Sequence, residues 1–509
     1  MWLTEYRYLW WWLPRYNYTL NHRLISRTVE PVKDTVFMRS LNSLEKWSYA
    51  VGSMPFAVKD AAFVNFVVFY YTQVQGLSGT LTGLAMFLAL SWDAISDPVV
   101  GSWSDTLRTR WGRRHPMLVV GGIPTAILFL LLFDPPAHLG EIGVFSWLLG
   151  VSILLRTFLT IYIIPHTAMG AELSTDYDER TVIAKARVTM GWLAGMALPA
   201  IGFLFFFQMD HGVDGRLVAD NYVNYGIMSA VLAAITAAFC IWGTRTVISR
   251  LPQSNPNAAP FSMGQPFRDV RIAFGNANFR LTTGAGLAFG MAAGIYTTLS
   301  LYISTYFWEF SSDQLAGMVV PSALATLLAF MLLGRLGQQY NKPPMLAVAS
   351  LVLAVNSVSL IGARLLGILP DNGHPLIYIL SIVSVGISVF AIVTLGVVSA
   401  SLVADILDEQ ELKTQRRQEG VFFAAGAFVA KATTGLGALM AGVVIDLVGI
   451  QPESLPGTID SSVLQSLGLF TLILTGSMAL LAYVFFNRIS MTREDHVRVK
   501  RQLEERATR

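Results

Sequence analysis

Trp92-Asp93-Ala94-Ile95-Ser96-Asp97-Pro98-Val99-Val100-Gly101 decides the fold, because two carboxylates stand four residues apart inside an apolar block that runs over about 80–100. The residues before them, Leu84-Ala85-Met86-Phe87-Leu88-Ala89-Leu90, are uniformly apolar. A bilayer core of about 30 Å needs roughly 20 such residues per helix. The block therefore has the length of a membrane span, and an acid inside a span is costly enough to mark function.

Working outward, eleven more blocks of the same kind appear. The first six lie near 49–72, 80–100, 117–134, 142–165, 182–208 and 223–244, and the second six near 281–307, 312–334, 344–364, 375–403, 420–446 and 463–486. Only 14% of the 509 residues are charged, against about 25% in a soluble globular chain. The expected fold is all-α and integral to the membrane, with twelve spans. Alternate loops hold the cations: Arg108, Arg110, Arg113 and Arg114; Arg180, Lys185 and Arg187; Arg245, Arg250, Arg268 and Arg271; Arg335 and Lys342; Lys413, Arg416 and Arg417. The other loops offer Arg216 and Arg364 alone. By the positive-inside rule the basic loops and both termini are cytoplasmic. A net charge of +3 gives no argument for nucleic-acid binding. The single cysteine, Cys240, excludes an intrachain disulfide.

The chain reads as a duplication. Ala171-Glu172-Leu173 follows the fourth span, and Ala404-Asp405-Ile406 follows the tenth. Gly101 to Arg114 follows the second, and Gly334-Arg335-Leu336-Gly337, ending near Lys342, follows the eighth. The expected units are an extension over 1–45, whose Trp10-Trp11-Trp12 run is too short to span; a six-helix bundle over 46–245; a cytoplasmic loop over 246–280; a second bundle over 281–487; and a tail over 488–509 read as a solvated helix. Met38 is an equally good reading of the start. Parallel repeats of this kind place substrate near the midplane, between the halves.

The charges inside spans are the candidate site. Asp93 and Asp97 share a helical face at i, i+4. Their repulsion is relieved by a proton, by a hard cation that Ser96 also serves, or by a basic residue elsewhere. Lys431 is mid-span in the opposite half and is expected to approach Asp93, either as a mobile partner or as a static bridge. Arg156 keeps its charge, so it needs Asp60, carbonyls or an anionic substrate. Lys59 and Asp60 are helical neighbours, so they are expected to find different partners, with Lys59 near the cavity. The loop carrying Gly101, Asp105, Arg110, Gly112, Arg113 and Arg114 suits a cytoplasmic gate made of ion pairs between helix ends. No G-x-x-x-x-G-K-[ST] string is present, which argues against an ATP-driven pump. No nucleophile–base constellation or zinc-like histidine spacing stands out, so an enzyme is not expected. The expected partners are the bilayer, a coupling cation and a small-molecule substrate, the chain working as a monomer without a cofactor.

These strings, with Arg110-Trp111-Gly112-Arg113-Arg114-His115-Pro116, Ile164-Pro165-His166-Thr167-Ala168-Met169-Gly170, Asp405 through Lys413-Thr414, and Glu419-Gly420, make an ordered set over roughly 45–490. The set resembles the glycoside–pentoside–hexuronide cation symporters of the major facilitator superfamily. The resemblance implies two pseudo-symmetric six-helix bundles, alternating access, and coupling to sodium or protons. It assigns the cation site to Asp93, Asp97 and Thr160, and the mobile lysine to Lys431. One departure matters. The family's acidic sugar acceptors on the first and fourth spans fall here at Ala57 and Ile163. Sugar or glycoside transport remains the family expectation, and a lysolipid or organic anion met by Arg156 or Lys59 is the alternative.

Overall fold

A computed structural model describes residues 41–174, 176–251, 274–414 and 419–507. The aromatic N-terminal segment and most of the central loop, including Arg268 and Arg271, lie outside the described residues, as do Arg416 and Arg417. Every regular element among the described residues is helical, apart from one bridge between Asp210 and Val213. In order these are α1 Ser43–Val51, α2 Met54–Ala62, α3 Gly79–Thr106, α4 His115–Phe133, α5 Glu141–Glu172, α6 Tyr177–Ile201, α7 Ala219–Thr244, α8 Ala277–Tyr302, α9 Ser312–Gly317, α10 Val319–Gln339, α11 Lys342–Leu365, α12 Pro375–Thr414, α13 Glu419–Val448, α14 Ser461–Phe486 and α15 Arg493–Ala507.

Eleven described helices are long and apolar enough to cross a membrane. The first pass makes the twelfth. It is not the unbroken block expected over 49–72: the chain breaks at Gly52-Ser53, and α2 then continues through two π-wound segments, Phe63–Val67 and Tyr70–Val74. At 1.5 Å per residue, 54–74 still covers about 30 Å. Helices also outrun the apolar blocks. α5 reaches Glu172 and α12 reaches Thr414, because backbone hydrogen bonding inside a helix persists after the side chains turn polar. Side-chain caps set several starts: Asn42 and Ser311 form capping boxes with Glu45 and Gln314, and Asp176 and Asn276 cap α6 and α8.

Packing repeats across the two halves. α4 packs on α5 and α7 as α11 packs on α12 and α14, and α3 on α5 as α10 on α12. The halves meet along α3–α13 and along α6 with α9 and α10. Glycine decides the α3–α13 crossing. A Cβ at Gly442 would lie 2.1 Å from the Gly79 carbonyl, and one at Gly83 would lie 2.8 Å from that of Ala438. Backbone contact of this closeness is how helices associate in lipid, where apolar area alone drives little.

The face with few cations is sealed between the halves. The Asp446 carboxylate of α13 accepts from the Gly79 and Thr80 amides at 2.6 and 2.8 Å, capping α3 from the opposite half. Tyr302 bonds to Thr72, and Tyr306 donates to Gln73 Oε1 at 2.9 Å. Arg216, paired with Asp214 at 2.6 Å, donates to Thr305 Oγ1 at 2.9 Å and to the Phe310 carbonyl at 3.0 Å. An aromatic cluster of Phe66, Tyr70, Phe133, Phe207, Tyr222 and Tyr225 backs this seal in the first half. The tail is a largely exposed helix fastened at its start. α15 is docked: the Arg493 amide meets Asn341 at 2.9 Å, and His496 reaches Asp408 and Asp405 at 3.2 and 3.4 Å.

Candidate coupling and substrate site

The charged side chains in the spans converge midway along α3, α5 and α13. Arg156 Nη1 donates to Asp93 Oδ2 at 2.5 Å, both side chains almost wholly buried. Lys431 bridges the halves to Asp97 Oδ2. Thr160 Oγ1 donates to Asp97 Oδ1 at 3.0 Å. Two atoms are left over: Asp93 Oδ1 and Arg156 Nε are buried without a hydrogen bond among the described residues. Asp93 Oδ1 is therefore an unused carboxylate oxygen one helical turn from Asp97 on α3.

Several pairings differ from the sequence expectation. Arg156 is held by Asp93, not by Asp60 or carbonyls, and its guanidinium lies 4.7 Å over the Phe63 ring. Lys431 meets Asp97 in this conformation, where an approach to Asp93 is expected in at least one. The two acids therefore avoid each other by each taking its own base. Ser96 Oγ donates weakly to the Asp93 carbonyl at 3.5 Å, its bond within its own helix. Lys59 and Asp60 pair with each other. Adjacent positions do not share a face, but the four-carbon lysine stem is flexible enough to fold back. It leaves Lys59 buried, with its ammonium 4.1 Å from the Phe56 ring centroid, and Asp60 half exposed.

The motif loop forms a clamp within the first half. Arg114, 3% exposed, reaches Glu172 at 2.5 Å, Ser104 at 2.6 Å and Asp105 at 2.8 Å. Arg113 reaches Glu172 at 2.8 Å and Asp105 at 3.9 Å. Gly112 takes φ +73°, a left-handed turn that lets both arginines double back. Gly101 faces Ile164, and Arg110 is exposed. These contacts join α3, α4 and α5 rather than one half to the other. The second half has the counterpart, Lys342 on Asp405. In the sequence Glu172 stands out as a repeat marker, and an acid just after a span facing an arginine-rich loop is the signal for the clamp. Asp446, inside an apolar run, carried a similar one. Gln73 carried none.

A cavity of about 270 Å³ lies between the halves, with Asn65, Gly195, Pro199, Tyr296, Ser322 and Val385 on its wall. Ala57 and Ile163 are not on it. Ala57 is 4% exposed in the core, and Ile163 packs against a neighbouring cluster.

A family model described as MFS/sugar transport protein matches residues 48–493. A protein named for glycoside/cation symport, YagG of Escherichia coli, is 24% identical over 82% of this chain and 85% of its own. The sodium-dependent lysophosphatidylcholine symporter 1 of Gallus gallus is 25% identical over 81% of this chain and 80% of its own. A crystal structure of a D-xylose–proton symporter superposes with a TM-score of 0.59 at 15% identity, covering 88% of this chain and 98% of its own, a likeness of fold. With twelve passes arranged as two six-helix bundles, the chain belongs to the MFS/sugar transport protein family and is a multi-pass membrane transporter of the major facilitator superfamily.

Proposed function

We propose that the chain is a sodium-coupled symporter of a small, uncharged, glycoside-like solute. The observation that carries this is the pairing of the intramembrane charges. Asp93 holds Arg156, Asp97 holds Lys431, and Asp60 holds Lys59. No cation of this set is left over to greet an anion, whereas Asp93 Oδ1 is unspent and the Thr160 hydroxyl lies on Asp97. Taking the basic loops as cytoplasmic, the sealed face is outside and this is the conformation that has released its cargo. Arg156 and Lys431 then stand in for sodium. They neutralise the acids so that the empty carrier can reorient. Sodium arriving from outside competes for the same oxygens, releases Lys431, and readies the site for solute. The three-oxygen set favours sodium over a proton, which needs no hydroxyl ligand.

A second reading rests on the lysophosphatidylcholine relative. Sodium would free Arg156 and Lys431 to meet a phosphate, and the cargo would be a zwitterionic amphiphile. Uptake into vesicles of purified protein separates the readings. Radiolabelled neutral glycosides and lysophosphatidylcholine are offered with an inward sodium gradient, a proton gradient, or none. The proposal expects sodium-driven glycoside accumulation. Accumulation under a proton gradient alone reassigns the ion, and lysophosphatidylcholine uptake alone sinks the glycoside reading.

A further inference from the structure

Inside the second half lies a polar chamber that the cation site does not use. Asn356 sits midway along α11, where an amide is expensive unless bonded. Its Nδ2 donates to the Ser384 carbonyl at 2.9 Å, to Ser384 Oγ at 3.1 Å and to Ser388 Oγ at 2.8 Å. Ser381 Oγ, on the same helix α12, is buried with no hydrogen bond among the described residues. These groups line a cavity of about 100 Å³. Thr471 and Thr475 of α14 also line it, but their hydroxyls donate to their own helix at 2.8 and 2.5 Å. Ser300 of α8 and Ser304, just past its end, belong to the wall of this chamber and to that of the central cavity, so the two spaces adjoin. Trp308 supplies an aromatic wall. No Asp, Glu, Lys, Arg or His among the described residues lines either space.

We propose that this chamber is a subsite for one uncharged, polyhydroxylated ring of the substrate, admitted from the central cavity past Ser300 and Ser304. An amide and unspent hydroxyls offer both donors and acceptors to ring hydroxyls, in a low-dielectric setting where each bond counts for more than in water. The indole suits the apolar face of such a ring. A chamber without charge rejects acids and ammonium groups, which would be desolvated there unpaired. The subsite rests on the glycoside reading and explains how sugar can be held although Ala57 and Ile163 lack carboxylates. The competing occupant is water, which fills polar cavities of this size.

The test uses the full chain with Ser384→Cys. Cys240 is fully buried, so its background reaction with N-ethylmaleimide is low. Labelling is timed in vesicles with sodium, with and without saturating methyl β-glucopyranoside, methyl β-xylopyranoside or glucuronate. In parallel, uptake of the two glycosides is measured for Asn356→Ala. The subsite predicts that the transported glycoside slows labelling several-fold and glucuronate does not, and that Asn356→Ala raises KM about tenfold, as loss of a buried hydrogen-bonding group does. If a glycoside accumulates with sodium while labelling and KM stay unchanged, the chamber holds water and the subsite is wrong, the symport reading surviving. If no neutral glycoside is taken up, both fall.

Discussion

At the scale of single residues, the structure shows two acids each held by a base, Asp93 by Arg156 and Asp97 by Lys431, and the proposed function adds sodium as a third claimant. Thr160 is the residue on which the proposed choice of sodium over a proton rests. Thr160→Val keeps the shape and removes the hydroxyl beside Asp97. Half-maximal sodium for uptake should rise about tenfold, as loss of a ligating or hydrogen-bonding group does, with the maximal rate near wild type. An unchanged sodium dependence would strike Thr160 from the ligand set. Arg156→Gln is sharper. It strands Asp93 in the buried site, and breaking such a pair costs roughly 3–5 kcal/mol. Thermal stability should fall steeply in sodium-free buffer and recover with sodium, since a ligand stabilises the state it binds. A loss of stability that sodium does not repair would mean the ion binds elsewhere. The presence of these charges was legible in the sequence, because Asp93, Asp97, Arg156 and Lys431 interrupt apolar blocks. Their partners were not. Pairing depends on which helices face one another and on the reach of flexible side chains, as Lys59 folding onto Asp60 shows.

At the scale of elements, α3 and α13 join the two halves at the sealed face. Asp446 caps α3 across the halves, and a helix cap is worth roughly 0.5–2 kcal/mol. Because the bond joins the two halves at their sealed ends, Asp446→Ala should tilt the population toward an opening of that face. A cysteine placed at Thr72, buried within the seal, should then react with an impermeant maleimide several-fold faster than in the same Thr72→Cys protein with Asp446 intact. An equal rate would show that the cap does not bear on the seal. Apolar blocks announced most helix starts to within a few residues, but not where the helices end. The π winding of Phe63–Val67 and Tyr70–Val74 left no trace in composition, since π turns arise from how a helix accommodates its neighbours rather than from its own pattern. Nor did the apolar blocks show that α12 runs on to Thr414.

At the scale of the whole molecule, each half carries its own clamp at the basic-loop end, Arg113 and Arg114 on Glu172 in one and Lys342 on Asp405 in the other. The repeat that pointed to these positions could be read from loop signatures; the clamps themselves required the fold. They allow each bundle to move as a body while its own charges stay satisfied. Glu172→Gln leaves two arginines at a buried corner, so it should lower thermal stability by roughly 3 kcal/mol irrespective of sodium, in contrast to Arg156→Gln. Rescue by sodium would place Glu172 in the transport cycle instead. The bridge from Lys431 to Asp97 is of another kind, for it ties body to body. On the proposed reading sodium and the bridge exclude one another, so the ion would act on shape even when no cargo is present, and by reciprocity shape would act on the ion. The ratio of the two conformers, plotted logarithmically against the logarithm of sodium concentration, then climbs with a slope equal to the number of ions that replace the bridge. The stoichiometry of transport is thereby written in a geometry that a pair of spin labels could count.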